Sequence, residues 1–432
     1  MKIRIEPGNI SGRITAPPSK SMTQRVLAGA MLHQGTTIIK NVGTSDDEKA
    51  ALGIIEALGA VVTVHEHNII EVEGNTLDTI TRVLTNATDL IDCGESGLSA
   101  RLFTPIAALS SKEITVTGTG SLLKRPMKLF ETILPQLGVL VSSTNHCLPI
   151  TLKGPLVPGH IEIDGSESSQ FLSGLLFAFC DAAPHPENTM KVHNLKSKPY
   201  IDMTLYVLKK FGHIVEHEDY RTFYIRENIT PPAKEIEVTI EGDWSSAAGL
   251  LIAGAIAGEI TIAGLADNNI QADNVIISLL QEAGAIVEWQ QDAVTVKAAP
   301  LKAFEFDATD CPDLFPVLAV LAACCVGESY ITGVHRLFHK ESNRAESISE
   351  MLQNFDVPFS VEDDALCVYG VGKLQGTIID SYHDHRIVMA ATIGALRANG
   401  PVDIVFAESV NKSYPDFFKD FMICGGKYEF LN

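Results

Sequence analysis

One local pattern recurs six times along the 432 residues of this chain: the apolar end of a helix, a turning residue, and then a strand. Five of the six turning residues are glycine and one is aspartate: Gly59, Gly138, Gly212, Gly284, Asp356 and Gly425. Successive positions are 79, 74, 72, 72 and 69 residues apart. So regular a period is typical of repeated structural units, and glycine suits the left-handed backbone that ends a helix. We therefore predict an α/β protein built from six repeated helix-plus-strands units.

The length and the repeat together predict two domains. A chain of 432 residues is too long for one ordinary core. The sixth repeat has no room for its second strand, whereas the strand pattern at residues 2–5 belongs to no repeat, so we expect the N-terminal strand to pair with the last repeat. The chain would then cross between domains near Pro17 and again between Pro231-Pro232 and Gly242. The first domain is predicted at 18–235 (repeats one to three), and the second at 1–17 and 236–432 (repeats four to six).

Composition excludes several classes of protein. The hydrophobic fraction of 46% and the charged fraction of 20% fit a soluble globular protein, and the net charge of −20 disfavours nucleic-acid binding. No stretch reaches the roughly 18 apolar residues of a membrane helix, and the first residues resemble a strand and not a signal peptide. The eight cysteines are scattered without a C-x-x-C pair, which argues against a disulfide framework or a zinc site. We expect a cytoplasmic protein that binds neither membrane nor metal.

Hydroxyl and cationic side chains collect where helices are predicted to begin. After Pro17-Pro18, Ser19 or Ser21 can cap an apolar helix whose start also carries Lys20 and Arg25, and free N–H groups with two cations suit a phosphate. Comparable helix starts lie at 93–101, 124–127, 166–170, 197–200, 241–247, 311–313, 339–344, 383–386 and 411–416. Each is equally compatible with an ordinary capped helix, but together they predict a strongly positive cleft in an acidic protein. The cluster at 44–48 is explained by helix capping alone.

These motifs resemble the EPSP synthase (3-phosphoshikimate 1-carboxyvinyltransferase) family, in order and over essentially the whole chain. The first half carries Pro-x-Ser-Lys-Ser at 17–21, Cys-Gly-x-Ser-Gly at 93–97, Arg-Pro-Met at 125–127, Ser-Ser-Gln-Phe-Leu-Ser at 168–173 and Ser-Lys-Pro-Tyr-Ile-Asp at 197–202. The second half carries Glu-Gly-Asp-x-Ser-Ser-Ala at 241–247, Pro-Asp at 312–313, Lys-Glu-x-x-Arg at 340–344, Asp-His-Arg at 384–386 and Lys-x-x-Pro-Asp at 412–416. The resemblance implies a two-domain inside-out α/β barrel whose cleft closes on substrate.

The resemblance also implies the reaction and the residues that carry it. It implies transfer of the enolpyruvyl group of phosphoenolpyruvate to the 5-hydroxyl of shikimate 3-phosphate, by a monomer without metal or organic cofactor. The residues matching the family's shikimate 3-phosphate site are Lys20, Ser21, Arg25, Ser168, Ser169, Gln170, Ser197 and Tyr200. Those matching its phosphoenolpyruvate site are Gly97, Arg125, Arg344, Arg386 and Lys412, with Lys340 reaching the space that both substrates share. Glu341 and Asp313 match the positions that exchange protons with the substrates, and Lys20 lies close to the reacting groups.

Some residues depart from the family pattern, and other functions stay open. Glu95 and Leu98 stand where the family usually has Asn and Thr, and Arg336 where it often has Asn, which puts substrate affinity in doubt more than activity. The related transferase that acts on UDP-N-acetylglucosamine carries a cysteine before Arg-Pro, whereas residues 118–124 contain none. An RNA 3′-phosphate cyclase is disfavoured by the net charge. A non-enzymatic anion-binding protein on the same scaffold is the remaining alternative.

Overall fold

The computed structural model describes residues 1–74, 83, 84, 86–182, 188–226, 233–266 and 269–431. The chain divides into two compact units, called here unit N (Pro18–Ile240) and unit C (Met1–Pro17 with Glu241–Asn432). Among the described helices, none combines the length and apolar composition that crossing a membrane requires. Strands and helices are numbered along the whole chain.

Unit N contains three four-stranded sheets, with the strand orders β14-β3-β5-β4, β6-β7-β9-β8 and β10-β11-β13-β12. The strands are β3 (Thr36–Lys40), β4 (Val61–His65), β5 (Ile69–Glu73), β6 (Leu90–Asp92), β7 (Glu113–Thr117), β8 (Leu140–Thr144), β9 (Cys147–Lys153), β10 (His160–Asp164), β11 (Thr189–His193), β12 (Ile214–Glu218), β13 (Thr222–Arg226) and β14 (Glu235–Thr239). The helices are α1 (Lys20–Leu32), α2 (Asp46–Ala57), α3 (Gly97–Ala107), α4 (Lys128–Ile133), α5 (Ser169–Asp181) and α6 (Lys198–Lys210).

Unit C contains the other three sheets, with the orders β16-β17-β15-β2, β18-β19-β21-β20 and β22-β23-β1-β24. The strands are β1 (Lys2–Glu6), β2 (Ile10–Thr15), β15 (Gly258–Ala263), β16 (Ile286–Gln290), β17 (Ala293–Lys297), β18 (Glu305–Asp307), β19 (Gly327–Thr332), β20 (Phe359–Glu362), β21 (Ala365–Gly370), β22 (Ile378–Asp380), β23 (Val402–Val405) and β24 (Lys427–Leu431). The helices are α7 (Trp244–Ala257), α8 (Ile276–Glu282), α9 (Phe315–Cys324), α10 (Arg344–Asn354), α11 (His385–Ala395) and α12 (Phe417–Ile423).

Helices form the interior of each unit, and the sheets cover them. Every residue of α3 and α11 is buried, and α7 is buried throughout except at Ser245. A helix that is apolar on all sides must lie in a core, whereas a strand such as β3, with alternate residues buried, covers a core with one face. In unit C the three helices α7, α9 and α11 pack on one another, as α1, α3 and α5 do in unit N. This is the inside-out α/β arrangement expected from the sequence.

The six turning positions have the backbone that the repeat requires. The φ angles are 99° at Gly59, 81° at Gly138, 87° at Gly212, 102° at Gly284, 59° at Asp356 and 92° at Gly425. All six lie in the left-handed region, which aspartate tolerates better than most side chains do. The prediction of six repeated units is therefore confirmed at the residues on which it was based.

The two ends of unit C share one sheet. Strand β1 pairs antiparallel with β24 through Ile3–Phe430 and with β23 through Ile3–Ile404. Each of the other five sheets has the second strand of its own hairpin, such as β13, at the position that β1 takes here. The N-terminal strand therefore pairs with the sixth repeat, as the sequence predicted. Strand β14 pairs with β3 of unit N, and the compact units divide after Ile240, inside the crossing predicted between Pro231-Pro232 and Gly242. Pro231 and Pro232, which were expected to mark this crossing, lie outside the described residues.

Candidate active site

Two buried helices of unit N, α1 and α3, are linked near their first turns. Ser19 caps α1 by accepting from the backbone N–H of Met22, and Ser96 caps α3 by accepting from that of Ser99. The buried Gln24 side chain of α1 accepts from the hydroxyls of Ser96 at 3.3 Å and Ser99 at 3.1 Å. These links place the N–H groups and positive dipole ends of two helices side by side, a favourable setting for anions.

Arg25 is a buried cation held by backbone and hydroxyl oxygens. Its guanidinium donates to the carbonyl oxygens of Ser21 at 2.8 Å and Tyr200 at 3.3 Å, and to the hydroxyl of Thr204 at 3.0 Å. Burial lowers the pKa of Arg25 to about 10, so it stays protonated at neutral pH. The structure therefore joins the predicted residues Ser21, Arg25 and Tyr200 in one cluster, to which Thr204 is an addition that no motif indicated.

Lys20 begins α1 and forms an ion pair that capping alone does not explain. Its Nζ lies 2.9 Å from Oδ2 of Asp47, whose side chain is only 6% exposed. Ser45 and Glu48 form a capping box at the start of α2, as the 44–48 pattern predicted. Beyond the capping that the sequence predicted, Asp47 thus also pairs with a predicted site residue.

The turn before α3 holds a second cation. The Arg125 guanidinium lies so close over Gly97 that a Cβ atom at position 97 would collide with it. The Glu95 carboxylate lies against Gly120, at the start of the 3-10 turn that leads to Arg125. Nearby, Arg101 donates to Oε1 of Gln170 at 3.2 Å and to the carbonyl of Pro126 at 3.3 Å, and so connects the α5 start to this turn. Ser168 caps α5, and Ser169 and Ser197 are buried at helix starts.

In unit C a single guanidinium joins three carboxylates. Arg344 is 1% exposed and contacts Asp384 through Nε at 2.8 Å, Asp313 through Nη1 at 2.6 Å and Glu341 through Nη2 at 2.7 Å. Lys340 approaches Asp313 at 3.4 Å. The sequence assigned Arg344 directly to phosphoenolpyruvate, whereas here each of its nitrogens already contacts a carboxylate. A ligand anion at Arg344 would therefore compete with carboxylates that already occupy most of its N–H groups.

Asp313 and Lys340 both have lowered pKa values, for different physical reasons. Burial alone would raise the pKa of Asp313, but Lys340, Arg344 and Arg386 outweigh it and hold that pKa well below its ordinary value. Burial lowers the pKa of Lys340 despite the attraction of Asp313. Asp313 is therefore ionised at neutral pH and can accept a proton there.

Arg386 and Lys412 are two further buried cations of unit C. Nη1 of Arg386 donates to the carbonyl of Ser245 at 2.7 Å, and its backbone N–H donates to Oδ1 of Asp384 at 2.9 Å. Lys412 is 6% exposed and ends the 3-10 turn Ala407–Lys412, which packs on α11. The described residues contain no cluster of three or more histidine, cysteine or acidic side chains arranged to hold a metal ion.

Comparison with known proteins decides the family. A family model described as EPSP synthase (3-phosphoshikimate 1-carboxyvinyltransferase) matches residues 5–421. The chain belongs to the EPSP synthase family. A 3-phosphoshikimate 1-carboxyvinyltransferase of Clostridium novyi is 35% identical over 430 residues, which cover 98% of this chain and 97% of that protein. One of Methanocorpusculum labreanum is 37% identical over 429 residues, which cover 98% and 99%.

Solved structures agree with this membership. An EPSP synthase of Acinetobacter baumannii superposes with a TM-score of 0.81 at 25% identity, covering 99% of this chain and all of that one. The enolpyruvyl transferase NikO of Streptomyces tendae gives a TM-score of 0.76 at 18% identity, with 99% and 98% covered, and so shares the fold. The predicted family and fold class are therefore confirmed. Sequence reasoning gave no site role to four side chains that connect the helices of unit N: Gln24, Asp47, Arg101 and Thr204. Nothing local separates them from capping or core residues.

Proposed function

We propose that this chain transfers the enolpyruvyl group of phosphoenolpyruvate to the 5-hydroxyl of shikimate 3-phosphate and releases phosphate. The observation that carries the proposal is the family match over residues 5–421. The helix starts of unit N and the ion-pair cluster of unit C support it, because the reaction needs sites for polyanions and groups that exchange protons. The enzyme is proposed to be a cytoplasmic monomer that acts in aromatic amino-acid biosynthesis through chorismate.

Within unit N the buried cations are assigned to the substrate anions. Arg25 receives the phosphate of shikimate 3-phosphate, supported by Lys20 and Ser21 at the same helix start. The remaining contacts to that substrate are assigned to Ser168, Ser169, Gln170, Ser197 and Tyr200. Arg125 and Gly97 are assigned to phosphoenolpyruvate, because the bare Cα of Gly97 lets the guanidinium lie directly over the turn.

Within unit C the cluster around Arg344 supplies acid–base chemistry. Arg386 and Lys412 are assigned to phosphoenolpyruvate, and Lys340 to the space that both substrates share. Arg344 joins them by exchanging a carboxylate of this unit for the substrate anion. Exchange with Glu341 would release that side chain from its 2.7 Å ion pair at the moment when substrate arrives.

The two carboxylates then have different tasks. Surrounding cations hold the pKa of Asp313 low, so its carboxylate is ionised. Asp313 takes the proton of the 5-hydroxyl while the 5-oxygen of shikimate 3-phosphate bonds to C2 of phosphoenolpyruvate. Glu341 gives a proton to the methylene carbon, so that the addition leaves a saturated intermediate. The C2–O bond to phosphate then breaks and the departing phosphate takes the proton held by Asp313. The methyl carbon returns a proton to Glu341, and the double bond forms again. Lys20 stays close to the reacting groups as a fixed positive charge.

One assay tests the function. Phosphate release from phosphoenolpyruvate is followed with shikimate 3-phosphate or with UDP-N-acetylglucosamine as acceptor, and with no acceptor. We expect release with shikimate 3-phosphate alone, together with a product in which the enolpyruvyl group is attached to the 5-oxygen. Release only with the nucleotide sugar would replace the proposal by the related transferase. No release with either acceptor, from protein with a cooperative thermal transition, would leave anion binding as the function.

A further inference from the structure

A short segment outside all the family motifs clamps the start of α7. Nε2 of Gln271 donates to Oε1 of Glu241 and to the carbonyl of Gly242, both at 2.8 Å, and its Oε1 accepts from the backbone N–H of Trp244 at 3.0 Å. Two residues later, the Asp273 carboxylate accepts from the hydroxyl of Ser245. Gln271 is 6% exposed and Asp273 1%. Four of the five positions 241–245, before and within the first turn of α7, are thereby held by side chains of one segment.

The same turn supports the guanidinium of Arg386. Nη1 of Arg386 donates to the carbonyl of Ser245 at 2.7 Å, so Ser245 is bonded to Asp273 through its side chain and to Arg386 through its backbone. Ser245 is also the one residue of α7 that is not buried. We propose that Asp273 is a positioning residue, which acts through Ser245 to fix the orientation in which Arg386 binds phosphoenolpyruvate. The inference rests on the proposed function.

Preorganisation is the physical reason for such a contact. A free arginine side chain loses rotamer entropy when a ligand immobilises it. A guanidinium already fixed by a rigid carbonyl does not lose that freedom on binding, and a misplacement of about 1 Å is enough to weaken its hydrogen bonds to the substrate. Asp243 caps α7 by accepting from the backbone N–H of Ser246, and Asp273 holds the side chain of Ser245 in the same turn.

The charge of Asp273 adds a second consequence. The charged and titratable groups around it are Asp313, Arg386, Asp243 and Cys311. Burial raises the pKa of Asp273 to about 7, Asp313 adds to this rise, and the positive charge of Arg386 opposes it. An anion bound to Arg386 cancels part of that positive charge, so the pKa of Asp273 should rise further. Binding of phosphoenolpyruvate near pH 7 should therefore be accompanied by proton uptake at Asp273.

Steady-state kinetics of the full chain test the positioning role. Asp273→Ala and Ser245→Ala should each raise KM for phosphoenolpyruvate about tenfold, the effect of one lost hydrogen bond to a charged group, while kcat and KM for shikimate 3-phosphate stay within about threefold. The double variant should be no worse than the worse single one, because both changes break the same link. Asp273→Asn keeps an acceptor for Ser245 and should stay within about threefold of the parent. Asp292→Ala, at an exposed aspartate of unit C, is the matched control.

Proton uptake gives an independent readout. Binding of phosphoenolpyruvate is measured by calorimetry at pH 7 in buffers of different ionisation enthalpy, for the parent and for Asp273→Asn. The parent should take up more protons than the variant. Equal uptake by the two proteins would overturn the electrostatic part, and Asp273→Asn as impaired in KM as Asp273→Ala would overturn the hydrogen-bond part. If Asp273→Ala does not fold, Ser245→Ala carries the kinetic test alone.

Arg386→Gln separates this inference from the proposed function. A parent without activity toward shikimate 3-phosphate contradicts the proposed function itself. A raised KM for phosphoenolpyruvate in Arg386→Gln, together with an unchanged KM in folded Asp273→Ala and Ser245→Ala, contradicts the positioning role alone. An unchanged KM in Arg386→Gln contradicts the assignment of Arg386 to phosphoenolpyruvate and, with it, the role of Asp273.

Discussion

Glu341 offers the most direct test of the chemistry at the scale of one residue. Glu341→Gln keeps the shape of the side chain and an oxygen for Arg344 but removes the titrating group, so kcat should fall by about 10²–10⁴ while shikimate 3-phosphate still binds. Glu346→Gln is the matched control, since Glu346 is an exposed acid in the first turn of α10. A kcat for Glu341→Gln within threefold of the parent would remove Glu341 from the mechanism.

Asp273 should also affect the pH dependence of stability. Its pKa is about 7 in the folded protein and near 3.8 when unfolded, so folding is favoured when it is protonated and that contribution is lost as pH rises from about 4 to 7. Asp273→Asn removes this loss. Variant and parent should have the same unfolding temperature near pH 4. Near pH 7 the variant should unfold at the higher temperature, with a free energy of unfolding that is larger by at most about 4 kcal/mol. A difference that does not change with pH would contradict the raised pKa.

At the scale of an element, the first turn of α2 contains two adjacent acids with different surroundings. Asp47 is nearly buried against Lys20, whereas Asp46 is 63% exposed and lies 3.6 Å from Lys49. Both occupy the positive end of the same helix, so their interactions with the helix dipole are similar. Asp47→Asn should lower kcat/KM about tenfold by releasing Lys20, whereas Asp46→Asn should change it less than twofold because exposed pairs contribute little. An equal change in kcat/KM in the two variants would mean that the two acids affect activity only through the helix dipole of α2.

Helix ends and strands could be predicted from the sequence where the pattern that produces them spans only a few residues. A left-handed turning residue and the alternation of strand residues are visible over a few positions, which is why Gly138 or Asp356 identified a repeat. The ion pair of Lys20 with Asp47 and the clamp at Asp273 depend on which helix starts become neighbours, and no short window encodes that. The place of β14 is of the same kind, because it looks like any other strand until its pairing with β3 is known.

At the scale of the whole molecule, unit N is one continuous segment with its own interior helices. A fragment of residues 18–240 should therefore fold alone, with a cooperative thermal transition, and should bind shikimate 3-phosphate through Arg25. The same fragment with Arg25→Ala is the control for binding. A fragment of residues 18–234 lacks β14 and exposes the edge of β3, so it should be less stable or aggregate. Equal stability of the two fragments would contradict the assignment of β14 to unit N.

The sheet that joins β1 to β23 and β24 has a consequence for the growing chain on the ribosome. Strands β1 and β2 emerge first, yet their partners β15, β23 and β24 are synthesised only after all of unit N. Unit N can fold while β1 and β2 are still unpaired, and unit C completes this sheet only after β24 has been synthesised. Contacts so distant in sequence form slowly, and unpaired strands are prone to aggregate meanwhile. The order of translation therefore determines how long β1 and β2 stay unpaired before unit C can fold.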